Sequence, residues 1–133
     1  MQIRDAVLAT LREQVGSVST MPGFRSSYRV NGKRVNVRTA TQKKGDQYWF
    51  DVTPAFYEER QMDFFLYACG SASQAYIIPR QEFERLIEGA SLGGQKQVPN
   101  FTIYCDKHVF EPAGGRSRRR SLMSFFNKYE LLK

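Results

Sequence analysis

Phe64-Phe65-Leu66-Tyr67-Ala68-Cys69 is an unbroken run of apolar side chains. A strand that shows one face to water alternates apolar with polar residues, so a run without alternation reads as a strand covered on both faces. This stretch, opened by Asp63, therefore demands a sheet with material packed on each side, and belongs at the sheet's centre. It falls far short of the ~18 apolar residues of a membrane-spanning helix, and no longer run exists in the chain.

The flanking sequence supplies the rest of such a sheet. Ile3, Val7, Leu8, Leu11 and Val15 recur at helical spacing, with Arg4, Asp5, Arg12 and Glu13 mostly on the other side and Gly16 as a stop. Asn31-Gly32 sits between two alternating runs, residues 27–30 and 34–40, which predicts a β-hairpin with a tight primed turn. Residues 47–52 are aromatic and β-branched enough for a strand, closed by Thr53-Pro54. Ala75-Tyr76-Ile77-Ile78-Pro79 reads as another, stopped by proline, and Phe83, Leu86 and Ile87 at helical spacing predict a helix over 80–88. Residues 89–100 read as a surface loop and 101–105 as a strand, with 109–110 continuing a pairing. Residues 113–121 read as a basic loop, and 122–132 are predicted to be a terminal helix. A chain of 133 residues is one domain by length, long enough for a single layered core.

Charge sets the class of partner. Arg25, Arg29, Lys33, Arg34, Arg38, Lys43 and Lys44 fall in and around the hairpin with no acidic residue from 25 to 45, and the chain as a whole carries a formal net charge of +7. A basic hairpin in a basic chain points to a polyanion, with duplex DNA the expected partner and no membrane. Cys69 and Cys105 each lie in an apolar strand-like run, which favours reduced, buried thiols over a disulfide. With no signal-peptide pattern at the start, the expected location is cytoplasmic. The lone His108 has no neighbouring ligand in sequence and reads as a turn or surface residue.

The order helix, basic hairpin, aromatic strand, buried strand opening with aspartate, then Tyr-Ile-Ile-Pro and a helix resembles the restriction-endonuclease-like, or PD-(D/E)XK, nuclease superfamily. Val30-Asn31-Gly32-Lys33-Arg34-Val35-Asn36-Val37-Arg38-Thr39-Ala40, Asp63-Phe64-Phe65-Leu66-Tyr67 and Ala75-Tyr76-Ile77-Ile78-Pro79 carry the likeness. The resemblance implies an α/β (α+β) fold with a central mixed β-sheet flanked by helices. It also implies phosphodiester hydrolysis, in which two carboxylates hold a divalent ion and a lysine orients or activates water. Carried across, the first acid falls at Ser27, the second at Asn36 and the lysine at Arg38. Serine and asparagine offer only neutral oxygens, and arginine is too basic to accept a proton.

The expectation is therefore a DNA-binding domain with a nuclease-inactive site, serving a nuclease, repair or mobile-element system and holding no resident cofactor. Arg116, Arg118, Arg119 and Arg120 would close over the DNA from the basic loop. Tyr48 and Trp49 are adjacent on one predicted strand and are candidates for stacking on bases, but one of the two must face inward, and core packing is the commoner fate of such residues. A second reading keeps the enzyme: a magnesium-dependent endodeoxyribonuclease whose acids have migrated, drawn from Glu13, Asp51 and Asp63. A third makes the chain a homodimeric structural or assembly protein whose basic residues only solubilise it.

Overall fold

The computed structural model describes residues 2–23, 26–41, 44–51, 62–87, 92–93, 98–112 and 119–133. Helix α1 (Ile3–Gln14) is followed by β1 (Val18–Thr20), β2 (Ser27–Val30), β3 (Lys33–Ala40) and β4 (Gln47–Asp51). Then come β5 (Phe64–Cys69), β6 (Ala75–Pro79), α2 (Arg80–Ile87), β7 (Leu92–Gly93), β8 (Val98–Tyr104), β9 (Val109–Pro112) and β10 (Arg120–Ser121).

The described strands form two sheets. The first has the order β1-β2-β3-β5-β6, with β3 and β5 parallel and every other pair antiparallel. The second, ordered β10-β9-β8-β4 with β7 on β8, is antiparallel throughout. The protein is thus α/β with a mixed sheet, and β5 lies inside that sheet between β3 and β6, as its apolar run requires.

Both faces of β5 are covered, by different layers. Val35, Val37, Leu66, Ala68, Ala75 and Ile77 form one apolar face, on which α1 buries Val7 and Leu11. Phe65, Tyr67, Cys69, Tyr76 and Ile78 form the other, packed against Phe50, Phe101, Ile103 and Phe110 of the second sheet and Phe83 of α2. Tyr67 sits at the centre of this aromatic layer, edge-on to Phe50 and Phe101 and stacked on Phe83. The expected picture of a sheet flanked by helices changes here, since one face meets α1 while the other meets a second sheet together with α2. Alternation along Phe101-Thr102-Ile103-Tyr104, buried at Phe101 and Ile103 only, is what turns β8 into a one-sided cover.

The hairpin forms with its turn at Asn31 (φ 51°) and Gly32 (φ 82°), both left-handed as a primed turn requires. The Asn31 side chain also accepts from Ser17 N–H and donates to the carbonyls of Val15 and Leu132, tying the end of α1 and the chain's last residues to the turn.

Four segments differ from their sequence reading. Within residues 89–100, read as a surface loop, Leu92–Gly93 (β7) pairs with the start of β8, which begins at Val98. Val18–Thr20, for which the sequence predicted no strand, pairs with β2. Arg120 and Ser121, read as the end of a loop, pair with Phe110 and Val109. The predicted terminal helix is instead two 3-10 turns, Met123–Phe125 and Tyr129–Leu132. Between them Asn127 has φ 53°, accepts from Ala75 N–H and donates to the Ser73 carbonyl, contacts that a continuous helix would forfeit.

Candidate nucleic-acid interface

Alternation along β2 and β3 sorts the hairpin's residues into two sets. Val30, Val35 and Val37 point to α1. Arg29, Arg34, Asn36, Arg38 and Ser27 therefore lie on the opposite face, the one that carries Phe65 and Tyr67 further along the sheet. Lys33 shares the α1 side, where its ammonium donates to the carbonyls of Lys133 (2.8 Å) and Leu132 (3.4 Å). Lys44 is exposed beyond the sheet, bridged through its backbone to Gln47. Arg25, Lys43, Arg116 and Arg118 lie outside the described residues.

Ser27 and Asn36 are direct cross-strand partners, and both are buried, at 2% and 1% exposure. Asn36 Nδ2 donates to Ser27 Oγ at 3.0 Å and to the Ser26 carbonyl at 3.4 Å. Its Oδ1 has no hydrogen-bond partner among the described residues. Arg38 follows two residues on, half-buried on the same face and paired in register with Tyr67. Burial drives the Tyr67 hydroxyl far above its ordinary pKa, and the Arg38 charge offsets this only in part. The three positions to which the resemblance assigns chemistry are therefore neighbours, holding two neutral dipoles and one fixed cation.

Arg29 and Arg34 are also directly opposite each other, an arrangement that like charges disfavour. Asp63 relieves it. Its carboxylate accepts from Arg34 N–H at 2.9 Å and from the guanidinium at 3.3 and 3.4 Å, while Asp63 N–H donates back to the Arg34 carbonyl. Partial burial opposes ionisation of Asp63, but the Arg34 backbone bond and guanidinium outweigh it and hold the carboxyl below its usual range. Arg80 closes this end, with Nε donating to the Met62 carbonyl and the guanidinium 3.7 Å from Glu84. Of the arginines on this face, Arg29 is the exposed one, with Arg34 and Arg38 half-buried.

The remaining acids named from the sequence do not gather here. Glu13 is exposed on α1, across the sheet from Ser27 and Asn36. The backbone of Asp51 pairs with Asn100 at the end of β4, and its side chain lies outside the described residues. A comparison with protein-family models, curated proteins and solved structures finds no match. Among the described residues, no group of three or more His, Cys, Asp or Glu side chains is placed to hold a metal ion. A hard divalent ion is held by several oxygens, usually with carboxylates among them, and the amide and hydroxyl at Asn36 and Ser27 bring no negative charge to answer it.

Arg119 and Arg120 stand on the second sheet, away from the hairpin. Arg119 pairs with Glu111 and lies over the Tyr104 ring, and Arg120 is exposed on β10. The sequence left open which of Tyr48 and Trp49 faces in; Tyr48 is the buried one at 8% exposure, and Trp49 is 43% exposed. No described helix is long and apolar enough to cross a membrane.

Proposed function

We propose that this chain is a DNA-binding domain of restriction-endonuclease-like fold in which the hydrolytic site has been replaced by a neutral, structural one. The observation that carries the reading is the Ser27–Asn36 pair. At the two places where the resemblance puts carboxylates, a serine and an asparagine face each other, buried and hydrogen-bonded, with Arg38 where it puts a lysine. The element order supports it as well: helix, basic hairpin, and a buried strand running parallel to the hairpin's second arm.

In this reading Arg29 and Arg38 contact phosphates of duplex DNA. Arg34 contributes less, because most of its charge is answered by Asp63. The test is fluorescence anisotropy with a labelled duplex over a series of salt concentrations, with wild type beside Arg29→Glu/Arg38→Glu. Affinity should fall with salt at a logarithmic slope of about 0.9 per phosphate contact, and the double variant should lose most binding at low salt. Unchanged binding by the double variant would remove the hairpin as the contact surface. Magnesium-dependent cleavage by the wild type, abolished by Asp51→Ala or Glu13→Ala, would favour the migrated-acid enzyme instead.

A further inference from the structure

The chain's two cysteines, Cys69 and Cys105, are free thiols, and both are buried. They come from different sheets. Cys69 is the last residue of β5, and Cys105 follows directly on β8. The sheets are in close contact at this end, where Tyr48 of β4 lies against Gly70 so tightly that a Cβ there would stand 3.0 Å from the Tyr48 hydroxyl. Cys69 shares its sheet face with Tyr76 of the neighbouring strand β6. Cys105 meets both of them, its thiol hydrogen-bonded to the Cys69 thiol and to the Tyr76 hydroxyl.

Tyr76 continues the contact outward. Its hydroxyl meets His108 Nδ1 at 2.9 Å, and His108 is half-buried on the turn that Cys105 opens. When Tyr76 donates to the Cys105 sulfur, its oxygen accepts from His108 Nδ1–H, so a line of polar groups runs from that turn to the two sulfurs. Burial pushes the Cys69 thiol up, so that it stays protonated. The hydrogen bond from Cys69 pulls Cys105 down against burial, helped by Tyr76 and opposed by the Asp106 and Asp46 charges. Cys105 is also the more accessible, at 5% exposure against 0%. Attack requires a thiolate, and access decides which thiolate an oxidant meets, so the sulfurs divide into an attacking Cys105 and a resolving Cys69.

We infer that Cys69 and Cys105 are a redox-active pair, which a peroxide converts to an intramolecular disulfide linking the first sheet to the second. The Cys105 thiolate attacks one peroxide oxygen, the O–O bond breaks, and the other oxygen leaves as hydroxide, which takes up the Cys105 proton to become water. The Cys69 sulfur then attacks the sulfenic sulfur of Cys105. The S–S bond forms as the S–O bond breaks, and hydroxide leaves with the Cys69 proton as a second water. Together the thiols give up two electrons, which reduce the peroxide. A disulfide is shorter than a thiol–thiol hydrogen bond, so closure draws the sulfurs together. Cys69 precedes the turn at 70–74 and Cys105 opens the turn at 105–108, places where the backbone shifts more easily than within a sheet. The pair lies apart from the hairpin and does not rest on the duplex-binding reading.

The test follows the reduced full chain under hydrogen peroxide. Its mass should fall by two hydrogens, proteolysis without reductant should yield one peptide joined through Cys69 and Cys105, and dithiothreitol should reverse both. Because the bridge constrains the unfolded chain between the two cysteines, the oxidised form should melt roughly 5–15 °C above the reduced one. Cys69→Ala should leave Cys105 as a sulfenic acid that dimedone traps, whereas Cys105→Ala should leave Cys69 unmodified at the same peroxide dose. The wild-type mass and peptide map need no variant, so they decide the question even if a substitution prevents folding. Added oxygen atoms with no bridged peptide, bridges only between chains, or a bridge that appears only once urea has unfolded the chain would each overturn the pair. So would a bridged chain less stable than the reduced one, and modification of Cys69 in Cys105→Ala would overturn the assigned order of attack.

Discussion

Asp63 holds Arg34 through backbone and side chain together: its carboxylate takes the Arg34 amide at 2.9 Å and the guanidinium at 3.3 Å, and its own amide returns a bond to the Arg34 carbonyl. The pair joins β3 to the start of β5 at the point where the two strands begin to run parallel. It also separates Arg34 electrically from Arg29.

Because the folded state lowers the Asp63 pKa, the pair's contribution is fully present above the unfolded carboxylate value and disappears as pH falls through the folded one. Both side chains are partly exposed, so the contribution is small, about 1 kcal/mol or less after solvent screening. Asp63→Asn should therefore lower the urea midpoint slightly at neutral pH, and the gap to wild type should close in strong acid. A gap that persists unchanged at low pH would mean that shape, not charge, carries the effect.

Tyr67 offers a prediction of the opposite sign. Its hydroxyl is fully buried and has no hydrogen-bond partner among the described residues, so it bears desolvation without return. Tyr67→Phe removes that group and keeps the ring against Phe50, Phe83 and Phe101. Stability should rise by roughly 1 kcal/mol, read as a higher midpoint in urea with an unchanged slope. Phe101→Ala, by contrast, should cost about 3–5 kcal/mol, because it empties the centre of the same layer.

The hairpin, β5, β6 and α2 were legible because each rests on a local rule: a primed turn, an unbroken apolar run, a proline stop and helical spacing. The second sheet was legible only strand by strand. Nothing local in Gln47–Asp51 or Val98–Tyr104 says that these strands leave the first sheet and cover it, since strand partners are chosen by long-range packing. The same holds for Asp63, which in sequence stands 29 residues from the Arg34 it pairs with. The tail failed for another reason. Its apolar residues suit a helix, but Asn127 turns left-handed to fix Ala75 and Ser73, and those contacts break the helix into two turns. At the candidate site, sequence named Ser27, Asn36 and Arg38 as a set, and they do share one face; that Lys33 points the other way, toward the chain's end, follows from alternation and was readable.

Asn31 was named only as a turn residue, and its side chain does more. It reaches Ser17, Val15 and Leu132 while its backbone holds φ at 51°. Asn31→Gly would keep the turn and lose the three contacts, so it isolates their worth. A loss of about 1–2 kcal/mol is expected, together with faster hydrogen exchange at the last residues and at the end of α1. Exchange unchanged at the C-terminus would show that Lys33 and the Tyr129–Leu132 turn hold it without Asn31.

The final prediction tests the proposed loss of chemistry at the site itself. Ser27→Asp, Asn36→Glu and Arg38→Lys together restore the residue types that the resemblance calls for, on two strands whose register already sets the first two side by side. Placing two carboxylates at positions only 2% and 1% exposed costs several kcal/mol while no cation answers them. The triple variant should therefore melt well below wild type in chelator and recover on adding magnesium, whereas the parent's melting temperature should not respond. Binding to the folded state stabilises in proportion to the logarithm of free ion over its dissociation constant, so the recovery should keep growing with magnesium concentration. Nicking of supercoiled DNA by the triple variant, absent from the parent, would complete the case. A variant that melts identically with and without magnesium would show that these positions never formed an ion site, and the alignment to the nuclease pattern would fall with it.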